Sequence, residues 1–148
     1  MNINDIDLFD LRNKISYVAQ TNILFADTLR NNITFGDIGY SQDDIEQACE
    51  LAGLKDMIEQ MPMKYDTYIH ENGGNMSMGQ KQAIAIARAL IRKPQLLILD
   101  EATSNMDAER ERIVMKQIAA LPIPCIIISH SSQILDCFEH KVKLGIDK

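Results

Sequence analysis

The 148-residue sequence predicts an α/β fold built on a parallel sheet. Three observations predict it. Leu96–Asp100 and Cys125–Ile128 are apolar runs without alternation, the pattern of strands covered on both faces. Helical patterns lie between and before them, and strands alternating with helices make a parallel sheet. Both runs end in polar residues, Asp100-Glu101 and Ser129-His130, at the strand ends where ligands bind in open α/β sheets.

In chain order, Ile15–Ala19 is β-branched and aromatic and reads as a short strand, with Gln20 at its end. Residues 21–39 read as a loop with one helical turn over Leu29–Ile33, stopped by Gly36 and Gly39. Ser41 followed by Asp43 and Asp44 is a helix start, and Ile45, Ala48, Cys49 and Ala52 recur at helical spacing up to a C-cap at Gly53. A second short helix fits 54–60, before Pro62. Ser77-Met78-Gly79-Gln80 has the S-x-x-Q form of a capping box and opens a helix over Met78–Arg92. That helix is apolar nearly all round, so it is largely buried, and Pro94 ends it. Leu96–Asp100 is a strand, Asp107–Ala120 a helix closed by Pro122, and Cys125–Ile128 a strand. Ile134–Phe138 reads as helical and Val142–Leu144 as a last strand. Residues 41–74 hold no buried strand, so they read as an all-helical insertion between Gln20 and the capping box.

Composition limits the function classes. The length fits one domain, and 46% apolar with 24% charged residues is ordinary for a soluble globular protein. The net charge is −6 and the cations are scattered, which argues against a nucleic-acid partner. No apolar run approaches the roughly 20 residues of a membrane span, so membrane contact comes through a partner. The polar, acidic start Met1–Asp5 is not a secretory signal. Cys49, Cys125 and Cys137 are odd in number and lack a C-x-x-C, as expected of a reducing compartment.

Several residues could carry chemistry. Asp100, past a strand, can hold Mg²⁺ through water, and Glu101 can polarise an attacking water. Alone, the acid pair also fits a surface turn. Ser77–Gln80 opens a helix whose N–H groups and dipole suit a phosphate, with Gly79 permitting close approach; alone, it also fits a plain capping box. His130 could donate to a terminal phosphate, though a single His is more often structural. Asp107 is most simply the N-cap of its helix. The order of these pieces carries more than any one of them: Gln at a strand end, helical insertion, S-x-G-Q, buried helix, strand-D-E-A-T-S, Asp, strand-S-H.

That series, from about residue 3 to about residue 144, resembles the ATPase domains of ATP-binding cassette (ABC) proteins. Asn75–Gln82 is similar to their L-S-G-G-Q signature, and Leu96–Glu101 to their Walker B strand with its catalytic Glu. The resemblance implies a partial P-loop NTPase-like sheet with a helical signature subdomain. It implies a core piece over 1–40, the helical subdomain over 41–92 and a second core piece over 93–148. It further implies ATP and Mg²⁺, with Asp100 and Gln20 at the metal, Glu101 as base, His130 as switch and Gln20 beside the lytic water. Ser77, Gly79 and Gln80 would close over ATP held by a second subunit, with Asp107 in the loop that communicates across that dimer. The run Ile23–Gly36 looks like the segment after this Gln in ABC exporters, nearest to bacterial peptide or bacteriocin exporters of the half-transporter type. The implied partners are a second such domain, a copy of the same chain, and transmembrane domains; the implied place is the cytoplasmic face of a bacterial plasma membrane.

The sequence departs from the family pattern in four ways. Met78 stands where the signature has Gly, Met76 where it has Leu, and Ala83 where an Arg commonly follows Gln-x-Gln. No G-x-x-x-x-G-K-[ST] occurs, although this loop cradles phosphates in P-loop ATPases. The expectation is therefore a domain that starts after its P-loop strand, with a sheet edge left open. Two functions compete: the later part of an exporter ATPase domain, or a non-catalytic module that only offers its signature helix to a partner. Mg-ATP binding by the chain alone separates them. A soluble ABC protein of chromosome maintenance or DNA repair is disfavoured by the acidic charge and by the exporter-like segment.

Overall fold

A computed structural model describes residues 7–140 and 142. Its centre is a three-stranded parallel sheet of β1 (Ile15–Val18), β4 (Leu96–Asp100) and β5 (Cys125–Ile128), in the order β1-β4-β5. The register sets Tyr17 beside Ile98 and Ile98 beside Ile126. One face carries Ser16, Val18, Leu97 and Leu99, all buried. Ser16 donates its hydroxyl to the carbonyl of Ala89 at 3.0 Å, tying this face to α5 (Met78–Leu90). The other face carries Tyr17, Ile98, Asp100, Ile126 and Ile128, and it is half open: Tyr17 is 58%, Ile126 50% and Ile128 49% exposed. The strands are apolar on both faces, but the coverage of both faces that sequence predicts is not met: burial alternates along β4, and no residue of β5 is buried, because no described element packs fully on the second face. Tyr17, Ile126 and Ile128 thus form an exposed apolar patch on this face.

The main helices start and stop where their local chemistry dictates. In α5, Ser77 accepts from the Gln80 N–H while the Gln80 side chain accepts from the Ser77 N–H, the reciprocal box that the sequence predicts. The helix ends at Leu90, two residues before the predicted Arg92, and its middle is buried as expected. A second box, Ser41 with Asp44, opens α3 (Gln42–Leu51). That helix closes in a Schellman turn: Gly53 takes φ 70°, Leu54 N–H donates to Cys49 and Gly53 N–H to Glu50. α4 (Lys55–Gln60) follows, and α6 (Ala108–Ala119) is capped by Asp107. α2 (Leu29–Thr34) matches the predicted helical turn.

Four sequence expectations need correction or bounding. The insertion is not all-helical: β3 (Tyr68–Ile69) pairs antiparallel with β2 (Asp27–Thr28), and Ile69 is fully buried. Two residues are too few to show a strand period. A helix unassigned from sequence, α1 (Leu8–Lys14), precedes β1; at seven residues it is too short for a helical period to stand out, and it buries no residue. It forms on Asp7, whose carboxylate accepts from the Phe9 and Asp10 amides. The last helix, α7 (Ser132–Leu135), sits two residues before its expected start. The strand expected over Val142–Leu144 lies outside the described residues, apart from Val142.

Arg88 of α5 fixes the segment after Gln20. Its guanidinium donates to the carbonyls of Asn32 at 2.7 Å and Ile23 at 3.0 Å. It also lies 4.6 Å from the Phe35 ring centre and 5.5 Å from that of Phe25. Burial lowers its pKa to about 10, which still leaves it charged at neutral pH. A planar cation with several donors suits a site made of carbonyls and ring faces. Asn32, fully buried, completes the fastening by exchanging hydrogen bonds with the backbone of Phe25.

Candidate functional site

The acid pair sits where the sequence places it, beyond the carboxyl end of the central strand. Asp100 is the last residue of β4, and its Oδ2 accepts from the Tyr17 hydroxyl at 2.8 Å. That bond, followed by desolvation, raises the Tyr17 pKa, because a phenolate there would face a carboxylate. Glu101 follows with φ 50°, in the left-handed region that disfavours residues with a Cβ. Its amide donates to the Ile128 carbonyl at 2.9 Å, a last rung between β4 and β5. Its side chain is only 17% exposed, and Oε1 is buried without a hydrogen bond. Nε2 of His130 lies 3.3 Å from that oxygen, in contact but not in hydrogen-bonding geometry. The imidazole itself is 97% exposed. Backbone strain combined with an unpaired buried carboxylate oxygen is a costly arrangement, and such arrangements concentrate at functional sites.

Gln20 enters through its backbone. It is exposed, two residues past β1, and its carbonyl accepts from the Gln82 amide at 3.4 Å. Asp107 accepts from the Arg110 amide at 2.9 Å as the N-cap of α6. Ser77 and Met78 are exposed, Gln80 is half-buried and Gly79 is buried. The capping box engages the Ser77 and Gln80 amides, so the amides of Met78 and Gly79 are those left to meet an anion.

The structure therefore brings Asp100, Glu101 and His130 into one place and attaches Gln20 to it. Among the described residues no hydrogen bond or ion pair joins Ser77 or Gln80 to those three. Gly79 acquires a reason that sequence reading gave to a phosphate. A Cβ there would stand 2.7 Å from the Asn105 carbonyl oxygen and 3.3 Å from the Cα of Met106. The close approach at Gly79 is made by this chain's own turn after Glu101. Met78, next to it, is 47% exposed.

Two participants escaped sequence reading. Tyr17 could have been found from register, since period two puts it on the Asp100 face of the sheet. Gln82 is buried; it closes the signature-like run Asn75–Gln82, where sequence reading gave it no role of its own, and it is an uncharged polar residue in an apolar helix.

The residues fit Mg²⁺ and a nucleotide in part. Mg²⁺ takes one or two protein carboxylates and fills its octahedron with water and phosphate oxygens, a need that Asp100 and its neighbour Glu101, with Oε1 free of hydrogen bonds, would meet. Among the described residues no three His, Cys, Asp or Glu side chains form a metal cage.

A parallel α/β sheet ending in such an acid pair, next to a helix opened by a signature-like box, agrees with the ABC resemblance read from sequence. Comparison with known proteins agrees. The ABC transporter family profile matches residues 1–104, and this chain belongs to that family. "ABC transporter B family member 2" of Dictyostelium discoideum is 44% identical over 131 residues, 87% of this chain and 9% of that protein. An "ATP-dependent lipid A-core flippase" of Albidiferax ferrireducens is 48% identical over 122 residues, 82% of this chain and 21% of that protein. The chain thus spans about a tenth to a fifth of the length of these relatives. Among solved structures, a bacterial Atm1-family ABC exporter with ATP bound matches with a TM-score of 0.84 and 33% identity, over 90% of this chain and 24% of that one. The fold is that of an ABC exporter's ATPase domain.

Proposed function

We propose that this chain forms part of an ABC exporter's ATP-hydrolysing unit. The observation that carries the reading is Glu101: strained, buried, with one unpaired oxygen against His130, beside Asp100 at the strand end. Bound Mg-ATP would supply an electrophilic phosphorus and a charge-neutralising cation at this point. Asp100 would hold the metal through its water shell, with Gln20 beside it. Glu101 would take a proton from the attacking water, and the exposed His130 would donate to the terminal phosphate. Ser77, Gly79 and Gln80 present a helix N-terminus to nucleotide held by a second copy, and Asp107 lies in the loop that relays its state. Residues 1–40 and 93–148 act as core and 41–92 as the signature subdomain. The half-open sheet face supports a place for the further layer that a P-loop brings.

The reading places the unit at the cytoplasmic face of a membrane, against transmembrane domains, with a peptide or other small molecule as cargo. No helix among the described residues is long and apolar enough to cross a membrane. The absence of a G-x-x-x-x-G-K-[ST] favours a second reading, in which the chain by itself only lends its signature helix to a partner.

Asp100→Asn in the intact ATPase tests the first reading. It should raise the Mg²⁺ concentration for half-maximal phosphate release by about 10–100-fold, the usual cost of disturbing groups around a metal. An unchanged Mg²⁺ dependence counts against Asp100 as the metal's holder.

A further inference from the structure

We propose that Gln82 is a positioning residue that locks the helix bearing the signature-like box to the backbone of Glu101. The proposal rests on the catalytic reading of Glu101 and adds to it a residue with no assigned role. Gln82 is 1% exposed, on the face of α5 that also carries Gly79. Its Oε1 accepts from the Asn105 amide at 2.9 Å. Its Nε2 lies within donating distance of the Glu101 carbonyl at 3.3 Å, the Ser104 hydroxyl at 3.3 Å and the Gln20 carbonyl at 3.4 Å. The orientation of the amide is unambiguous: a backbone N–H can only donate, and carbonyls can only accept.

Glu101 is consequently gripped from two sides. Its amide is held by the Ile128 carbonyl, and its own carbonyl by Gln82. A left-handed residue with a Cβ persists only when its surroundings over-determine it, and these two bonds supply that constraint. One helical turn earlier, Gly79 lets Asn105 touch α5, while Gln82 binds the Asn105 amide. Positions 79 and 82 thus seat the whole turn from Glu101 to Met106 on the signature helix. Movement of that helix displaces the candidate base and the Gln20 carbonyl together. An apolar residue cannot replace this, because three partly buried backbone groups would lose their partner.

The test uses Gln82→Leu and Gln82→Glu in the intact ATPase, with two readouts. Gln82→Leu should lower kcat for phosphate release by roughly 10–100-fold, the cost of misplacing a reacting group by about 1 Å, with KM for ATP within about twofold. Hydrogen exchange at the Asn105 amide should quicken in the same variant. Gln82→Glu should recover as pH falls, measured as its kcat ratio to wild type. Protonated, the introduced carboxyl has one O–H to donate and one oxygen to accept; ionised, it only accepts and repels the surrounding oxygens. A residue that merely fills space would instead be replaced by leucine with kcat and Asn105 exchange unchanged. Wild-type kcat in Gln82→Leu, unchanged Asn105 exchange, or a flat Gln82→Glu ratio would each overturn the proposal. Should Gln82→Leu fail to fold, the Gln82→Glu ratio decides. If wild type releases no phosphate, the catalytic reading fails, and Asn105 exchange still decides whether Gln82 holds the turn.

Discussion

Glu101→Gly should make the protein more stable and nearly inactive. Glu101 has φ 50°, which costs a residue with a Cβ about 1–2 kcal/mol and costs glycine little. Its buried Oε1 has no hydrogen bond, and an unpaired buried acceptor costs roughly another 1–3 kcal/mol. Against these stand the extra unfolded-chain entropy of glycine, about 0.5–1 kcal/mol, and a contact with a largely exposed His130 that is worth little. The net is a gain of about 1 kcal/mol or more, visible as a higher urea midpoint. Turnover should fall by about 10²–10⁴-fold, the usual contribution of a general base. A midpoint equal to wild type or below it would show that Glu101 is not strained as described.

Gly79→Ala should destabilise, against the ordinary sign of that substitution. Glycine inside a helix is worse than alanine by about 0.8–1 kcal/mol, so propensity alone predicts a gain. Here the new methyl would meet the Asn105 carbonyl oxygen at 2.7 Å and backbone atoms of Asn105 and Met106 at 3.3–3.4 Å. Backbone cannot rotate aside as a side chain can, so the turn after Glu101 must shift. Overpacking of this kind costs about 1–3 kcal/mol. The shift also moves Glu101, so turnover should drop by up to about 10²-fold. A urea midpoint at or above wild type contradicts the contact.

How much was legible follows from which signals are local. The parallel sheet was readable because Leu96–Leu99 and Ile126–Ile128 are apolar runs too short for anything but strands. The helix starts were readable because Ser41, Ser77 and Asp107 announce themselves by the residue three positions on or by the acids beside them. The short strand at Tyr68–Ile69 was not, since its partner lies some forty residues earlier and a two-residue ladder has no period. Helix α1 was missed because it is held by one aspartate and buries nothing. At the site, the strand ends pointed to Asp100, Glu101 and His130, and the structure unites them. Gln82 was hidden because its importance lies in three contacts from different stretches of chain, around residues 20, 101 and 105. The reason for Gly79 was hidden likewise: sequence shows that a glycine permits a close approach, not which group approaches.

The measurement that tests the central claim most directly is phosphate release from Mg-ATP by the intact ATPase, wild type against Glu101→Gln, with ATP affinity measured alongside. Glutamine keeps the shape of Glu101 and removes its basicity. The account predicts turnover reduced by about 10²–10⁴-fold with ATP affinity unchanged within about twofold. Turnover that survives in Glu101→Gln while ATP still binds would contradict it, and would move the chemistry away from the acid pair at the end of β4.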